Sequence, residues 1–575
     1  MSKGNSKNLQ KDDRQKEKIL LVLLPFWTPL IPPLGISCLK SFVQNHGYNV
    51  KTVDLNVEMP FRNIYGKYYD RLKEHIPQNK RGNFYNTGLD VLQGHMMAYL
   101  NFEDEMEYLE LLHLLIRNNF YADVGESCVL ELDELIQTFY KELEKYFLRL
   151  LKDEEPAVLG LSVYRGTLPA SIFAARLTRE KYSHIKIVMG GAIFSQGLEL
   201  SSPNFRFFLE KTPYIDKVIA GEGENLFVKF LHHELPESLN VCSIGSINGE
   251  FLDISSADIP DFSDFDLQHY PYNAAYTSRS CPFQCTFCAE TVYWGKFRKK
   301  SCQQIIAELR ELKEKYGSQL FLMCDSLLNP IIADLAGEFL KSDLLVYWDG
   351  YLRVDKNVSS IENSFLWRRA GFYRARLGVE SGSQRILDAM DKKITPSSIS
   401  SSIFSLARAG IKTTTYWIVG YPGETEEDFR QTLNLIEELK DYIYEAECNP
   451  YRYFLTGQVA STGLAEKNKA VPLYQENTRK MLITQTWILD CFPSRKETYE
   501  RINRFEEHCK KLGIPNPYSL SDIYKADQRW SELHDNAVPS LMDIRNRNVS
   551  VDECRKVQKS SFVKAVVNDE GDFEF

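Results

Sequence analysis

Ser280-Cys281-Pro282-Phe283-Gln284-Cys285-Thr286-Phe287-Cys288-Ala289 sets three cysteines at C-x3-C-x2-C spacing, and no fourth cysteine or histidine lies close by. Three thiolates in one tight loop suit three irons of a [4Fe–4S] cluster, which normally takes four cysteines. One iron is then left without a protein ligand and is open to a small molecule. Zinc is the competing occupant, but it usually asks for four nitrogen or sulfur donors in paired knuckles, and the chain has no second knuckle.

The spacing resembles the signature of the radical S-adenosylmethionine (radical SAM) family. In that family the open iron chelates the amino and carboxylate groups of SAM, and an electron from the cluster cleaves SAM to a 5′-deoxyadenosyl radical. The resemblance makes Cys281, Cys285 and Cys288 the cluster ligands and sets Phe287 beside the adenine.

Downstream, strand and helix signals alternate from about residue 274 to 455. Leu320–Asp325, Leu344–Arg353, Arg374–Glu380 and Thr413–Val419 read as strands. Thr425 and Asp428 predict a capping box opening a helix. Repeated units of this kind predict a parallel β/α barrel, or part of one, with functional groups at the strand carboxyl ends. Asp325, Arg353, Glu380 and Ser381 stand at such ends. The pieces CDSLLNP, GVESGSQRILDAM and GYPGETEEDF resemble the cobalamin-linked branch of radical SAM proteins. The resemblance implies SAM contacts for Glu380 and Ser381, a carboxylate grip for Arg353, and a place for Asp325 near the amine-binding strand. An ordinary ion pair or strand-end cap explains each of them as well.

Upstream, Lys18–Pro25, Val50–Leu55, Ala157–Val163 and Ile185–Met189 read as buried parallel strands with helices between them. Glycines directly after strands let a ligand approach the backbone at the carboxyl end of a doubly wound sheet. Residues 18–235, less a helical insertion at 56–155, resemble the cobalamin-binding domain that precedes many radical SAM domains. The matching positions are Pro25, Ser162, Gly190, Gly191, Gly221 and Glu222, which the resemblance sets around the corrin. The D-x-H-x-x-G motif that supplies a histidine to cobalt is absent. A ligand-free scaffold domain is the competing reading.

The expected fold is therefore α/β. A disordered tail (1–17) leads into a Rossmann-like cobalamin-binding domain (18–235), a linker (236–273), a partial TIM barrel forming the radical SAM core (274–455) and a helical segment (456–575). A chain of 575 residues is long enough for more than one domain. Its net charge of −9 offers no basic face for nucleic acid. Its longest aliphatic run, Ile19–Leu24, is too short for membrane insertion. The twelve cysteines are mostly isolated, so a secreted disulfide framework is not expected. A reducing cytoplasm fits these thiols and an oxygen-sensitive cluster.

The family branch implies a cobalamin-dependent methyltransferase acting on an unactivated sp3 carbon of a small-molecule or peptide substrate, fed by a donor such as flavodoxin or ferredoxin. Oxidation, cyclisation or rearrangement without methyl transfer is the nearest alternative. A methylthiotransferase would need an extra amino-terminal cysteine triad, and only the scattered Cys38, Cys128 and Cys242 precede the core. A corrinoid or iron–sulfur binding protein without turnover is the non-enzyme reading.

Overall fold

The computed structural model describes residues 17–195, 197–516, 520–547 and 551–557. The tail expected over 1–17 lies, but for Glu17, outside these residues.

Two parallel six-stranded sheets organise the chain. The first contains β1 (Lys18–Leu23), β2 (Asn49–Asp54), β3 (Val158–Ser162), β4 (Lys186–Gly190), β5 (Lys217–Ala220) and β6 (Val241–Ser243), in the order 2-1-3-4-5-6. Every neighbouring pair in it is parallel. Strand β1 alternates its apolar side chains between the two faces. Leu20 and Val22 enter one core and Ile19, Leu21 and Leu23 the other, as a sheet covered on both sides requires. The stretch read as a linker supplies β6, so the sheet runs one strand further than its sequence pattern indicated. Three residues are too few to show a strand period.

Between β2 and β3 lie four helices, Met59–His75, Phe84–Asn101, Glu105–Phe120 and Glu126–Glu154. Their Leu, Tyr and Phe stripes join the same core as Leu20 and Val22.

The second sheet contains β7 (Asn273–Ala275), β8 (Leu320–Met323), β9 (Tyr347–Arg353), β10 (Phe372–Glu380), β11 (Lys412–Val419) and β12 (Glu445–Pro450), in sequential order. All of its pairs are parallel, giving a six-stranded partial barrel. Its interior is charged. Asp349 pairs with Arg376 at 3.0 Å, and Arg374 pairs with Glu445, all four nearly fully buried. At the amino ends of the strands, Val538, Leu541, Ile544, Val551 and Cys554 pack on Tyr272, Leu320, Tyr347 and Tyr373. The last part of the chain thus plugs the barrel base. The helix Arg495–Lys511 covers the barrel flank through Ile502, Phe505 and Cys509.

Candidate active site at the facing sheet ends

The cysteine loop follows β7 and is fixed from several directions. Asp325, just beyond β8, accepts from the Thr277 amide at 2.9 Å, the Thr277 hydroxyl at 2.9 Å and the Ser278 hydroxyl at 2.6 Å. Its carboxylate is buried and spent on holding the entry to the loop. Further along, the Thr286 amide donates to the Met390 carbonyl at 3.0 Å. Gln458 Nε2 donates to the Phe287 carbonyl at 2.9 Å, and the Val459 and Ala460 amides reach the Cys288 and Thr286 carbonyls at 3.1 Å each. The loop is therefore held by segments more than a hundred residues away.

Burial raises the Cys281 thiol above its ordinary range and pushes Cys288 up to about 12. The cysteines interact electrostatically with one another, and the positive charges of Arg353 and Lys392 oppose the rise at Cys281. Among the described residues, no three His, Cys, Asp or Glu side chains converge closely enough for a single metal ion. A multi-iron cluster takes one sulfur per iron and so needs the thiols further apart.

Two cations stand beside the loop. Arg353, at the end of β9, donates from Nη1 to Cys285 Sγ at 3.3 Å and lies 4.1 Å from the Phe283 ring centroid. Its Nη2 is buried without a hydrogen-bond partner. Lys392 donates to Glu380 Oε1 at 2.6 Å and sits 5.6 Å from the Phe287 ring centroid. Glu380 ends β10 at φ +64, and Gly378 makes room for the pair, since a Cβ there would lie 2.7 Å from Glu380 Oε1 and 3.1 Å from Lys392 Nζ. Ser381 is fully buried. Its hydroxyl accepts from the Ser383 amide at 3.1 Å and contacts Thr432 Oγ1 at 3.3 Å, so it shapes the turn rather than facing the cavity.

A cavity of about 860 Å3 opens between the carboxyl ends of the two sheets. Phe287, Glu290 and Glu380 line it from the barrel side, and Trp27, Tyr164, Arg165 and Ser195 from the first sheet. Thr484–Leu489 and the helical insertion close other walls. Trp27 and Tyr164 stack with centroids 4.5 Å apart.

The six positions expected around a corrin do not line this cavity. Pro25 is buried after β1, and Ser162, Gly190 and Gly191 precede the lining residues Tyr164, Arg165, Ala192 and Ser195 by one to five residues. Gly191 has φ +117, and a Cβ there would meet the Val163 carbonyl oxygen at 2.5 Å, so backbone crowding alone requires this glycine. Gly221 has φ +103, and a Cβ there would touch Ile244 Cγ1 at an ordinary 3.9 Å. Glu222 pairs with Arg279 at 3.2 Å and with Arg298, and Glu224 pairs with Arg279 at 2.5 Å. Arg279 flanks the cysteine loop, so this glutamate loop ties the first sheet to the barrel. Three residues went unsuspected in the sequence: Lys392, Gln458 and Tyr293, whose hydroxyl reaches the Gly191 carbonyl at 3.5 Å. None carries a local motif.

The Radical SAM superfamily model matches residues 276–436, the span from the approach to the cysteine loop to the helix after β11. This chain carries a radical SAM domain. It is 24% identical over 325 residues to the uncharacterized methyltransferase PH0819 of Pyrococcus horikoshii, covering 53% of this chain and 69% of that protein. It is 26% identical over 260 residues to the anaerobic magnesium-protoporphyrin IX monomethyl ester cyclase of Cereibacter sphaeroides, covering 40% of this chain and 42% of that protein. Its fold is similar to that of the radical SAM methyltransferase TsrM from Kitasatospora setae, with a TM-score of 0.58 and 13% identity over 96% of this chain and 99% of that one. The chain thus has the two-sheet α/β architecture anticipated from its sequence. Among the described residues no helix is long and apolar enough to cross a membrane.

Proposed function

We propose that the enzyme is a cobalamin-dependent radical SAM methyltransferase acting on an sp3 carbon of a small molecule or peptide. One observation carries this reading. The cysteine-loop side and the first-sheet side open on a single cavity, with Phe287 and Glu290 facing the same space as Trp27 and Tyr164. Bound cluster and SAM would supply a carbon-centred radical, and cobalamin a methyl group.

The chain's own residues have distinct parts in this proposal. Cys281, Cys285 and Cys288 hold the cluster and leave one iron free. The buried, unpartnered Nη2 of Arg353 fits an anionic group arriving beside Cys285, and the SAM carboxylate is such a group. Glu380, held by Lys392, is set at the cavity wall for the ammonium or ribose of SAM. The aromatic wall and the segment Thr484–Leu489 exclude water, which a reactive primary carbon radical requires. An external donor such as flavodoxin or ferredoxin would supply the electron.

The similarity to the cyclase favours a second reading, ring closure without methyl transfer. Anaerobic turnover with product counting separates the two. Methyl transfer yields S-adenosylhomocysteine and 5′-deoxyadenosine together, while cyclisation yields only the latter. Turnover that releases neither product would reject both.

A further inference from the structure

The cavity wall away from the cysteine loop has a distinct chemistry. Asp90, on the helix Phe84–Asn101, accepts from both terminal nitrogens of Arg452, at 2.7 and 3.2 Å. Arg165, just beyond β3, approaches the same carboxylate at 3.2 Å. Arg495 lines the wall too, and its hydrogen bonds go to uncharged partners. Nη2 donates to Asn119 Oδ1 and the Tyr499 hydroxyl at 3.0 Å each, and Nη1 reaches the Tyr121 hydroxyl at 3.3 Å. Among the described residues it makes no ion pair. Three guanidinium groups therefore stand along a wall with one carboxylate, which pairs with only two of them.

A second observation is independent of that charge count. Gln93 lies one helical turn after Asp90, is only 8% exposed, and its Nε2 has no hydrogen-bond partner although it lines the cavity. A buried donor left unmade costs about 1–3 kcal/mol unless a ligand or water satisfies it. The cavity's other carboxylates are already engaged. Glu380 is held by Lys392, Glu199 by the Gly197 amide and Thr456, and Glu290 by Ser326. The excess of guanidinium donors over acceptors is therefore local to this wall.

We propose that Gln93, Arg165, Arg452 and Arg495 bind an oxyanion of the substrate, so that the enzyme acts on a carboxylated or phosphorylated organic molecule. This rests on the reading of the cavity as the reaction chamber. Guanidinium groups grip planar or tetrahedral oxyanions through paired N–H donors, and low-dielectric walls strengthen the contact. An anchor on this wall directs the rest of the substrate towards the cysteine-loop side.

The test uses the full chain, purified without air and loaded with cluster and cobalamin. Calorimetry is run with inorganic phosphate and, separately, with succinate, both at constant ionic strength in chloride. Saturable binding of at least one probe is expected. It should weaken at least tenfold in Arg165→Gln and several-fold in Gln93→Leu, a change that costs no bond made by the amide nitrogen. Arg430→Gln, on an exposed helix face, should bind as wild type does. The stronger probe decides between phosphate and carboxylate. Absence of saturable binding, or equal binding in all variants, overturns the inference. So does binding seen only before cobalamin is loaded, which would give the wall to the corrin's own phosphate. The same samples are assayed for 5′-deoxyadenosine. SAM cleavage without anion binding sinks this inference and leaves the reaction standing, and anion binding without SAM cleavage does the reverse.

Discussion

Arg353 Nη1 donates to Cys285 Sγ at 3.3 Å while the Nη2 of the same guanidinium is buried and unpartnered. One side chain is thus half committed to the cysteine loop and half waiting. A fork of fixed geometry binds a carboxylate bidentately or bridges two acceptors, and a lysine ammonium reproduces the charge without the fork. Arg353→Lys is expected to retain iron and to bind SAM at least tenfold more weakly, measured by calorimetry on reconstituted protein. Unchanged SAM affinity would remove Arg353 from the binding site.

Lys392 and Glu380 form a pair buried on both sides, each with 8% of its side chain exposed. Removing one partner of such a pair strands a charge at a cost of about 3–5 kcal/mol, while replacing both by apolar groups is often neutral. Lys392→Met should therefore lower stability by roughly that amount, and Lys392→Met with Glu380→Leu should recover most of it in denaturant unfolding. Both variants should lose SAM cleavage. Full SAM cleavage by the stable double variant would reduce the pair to a structural role.

Much of this was legible in the chain. The apolar runs at Lys18–Leu23, Val158–Ser162 and Lys186–Gly190 are buried strands because a parallel sheet covered on both faces demands continuous hydrophobicity. The capping box forms as read, with the Thr425 amide donating to Asp428 at 2.8 Å, because both partners lie within one turn. What stayed hidden was set by tertiary contact. Nothing local announces that Lys392 reaches Glu380, or that Asp90, Arg165, Arg452 and Arg495 meet from four separate segments. The glycines after β4 also have a tertiary reason. Gly191 is required by the Val163 backbone, and the cavity begins at Ala192 beyond it.

Arg279 bridges the two sheets through Glu222 and Glu224, with side-chain exposures of 11%, 3% and 10%. It also lies 5.3 Å from the Tyr276 ring centroid and 5.8 Å from that of Trp294. Arg279→Gln leaves two glutamates with less counter-charge, of which Arg298 still pairs with Glu222. The expected loss is about 3–5 kcal/mol. Because the bridge joins the sheets, limited proteolysis should cut the variant between β5 and the cysteine loop sooner than wild type. Identical digestion patterns would show that the ion pairs do not hold the sheets together.

Glu506, on the helix Arg495–Lys511, faces β12. Burial pushes its carboxyl up to about 8, and the charge of Glu447 adds to the rise against a hydrogen bond from Asn516. The folded state therefore keeps this proton at pH values where the unfolded carboxyl, at its ordinary 4.5, has released it. Between those limits the native chain binds more protons than the unfolded one, so this group makes stability fall as pH rises. Below the ordinary value both states are protonated and the contribution is flat. Glu506→Gln keeps the shape and supplies a permanent neutral amide, which removes the slope. The variant should match wild type at pH 5 and melt several degrees higher at pH 8, measured by thermal unfolding across that range. Parallel pH profiles for the two proteins would mean that Glu506 is ionised in the folded state and that Arg or Lys side chains reach it in solution.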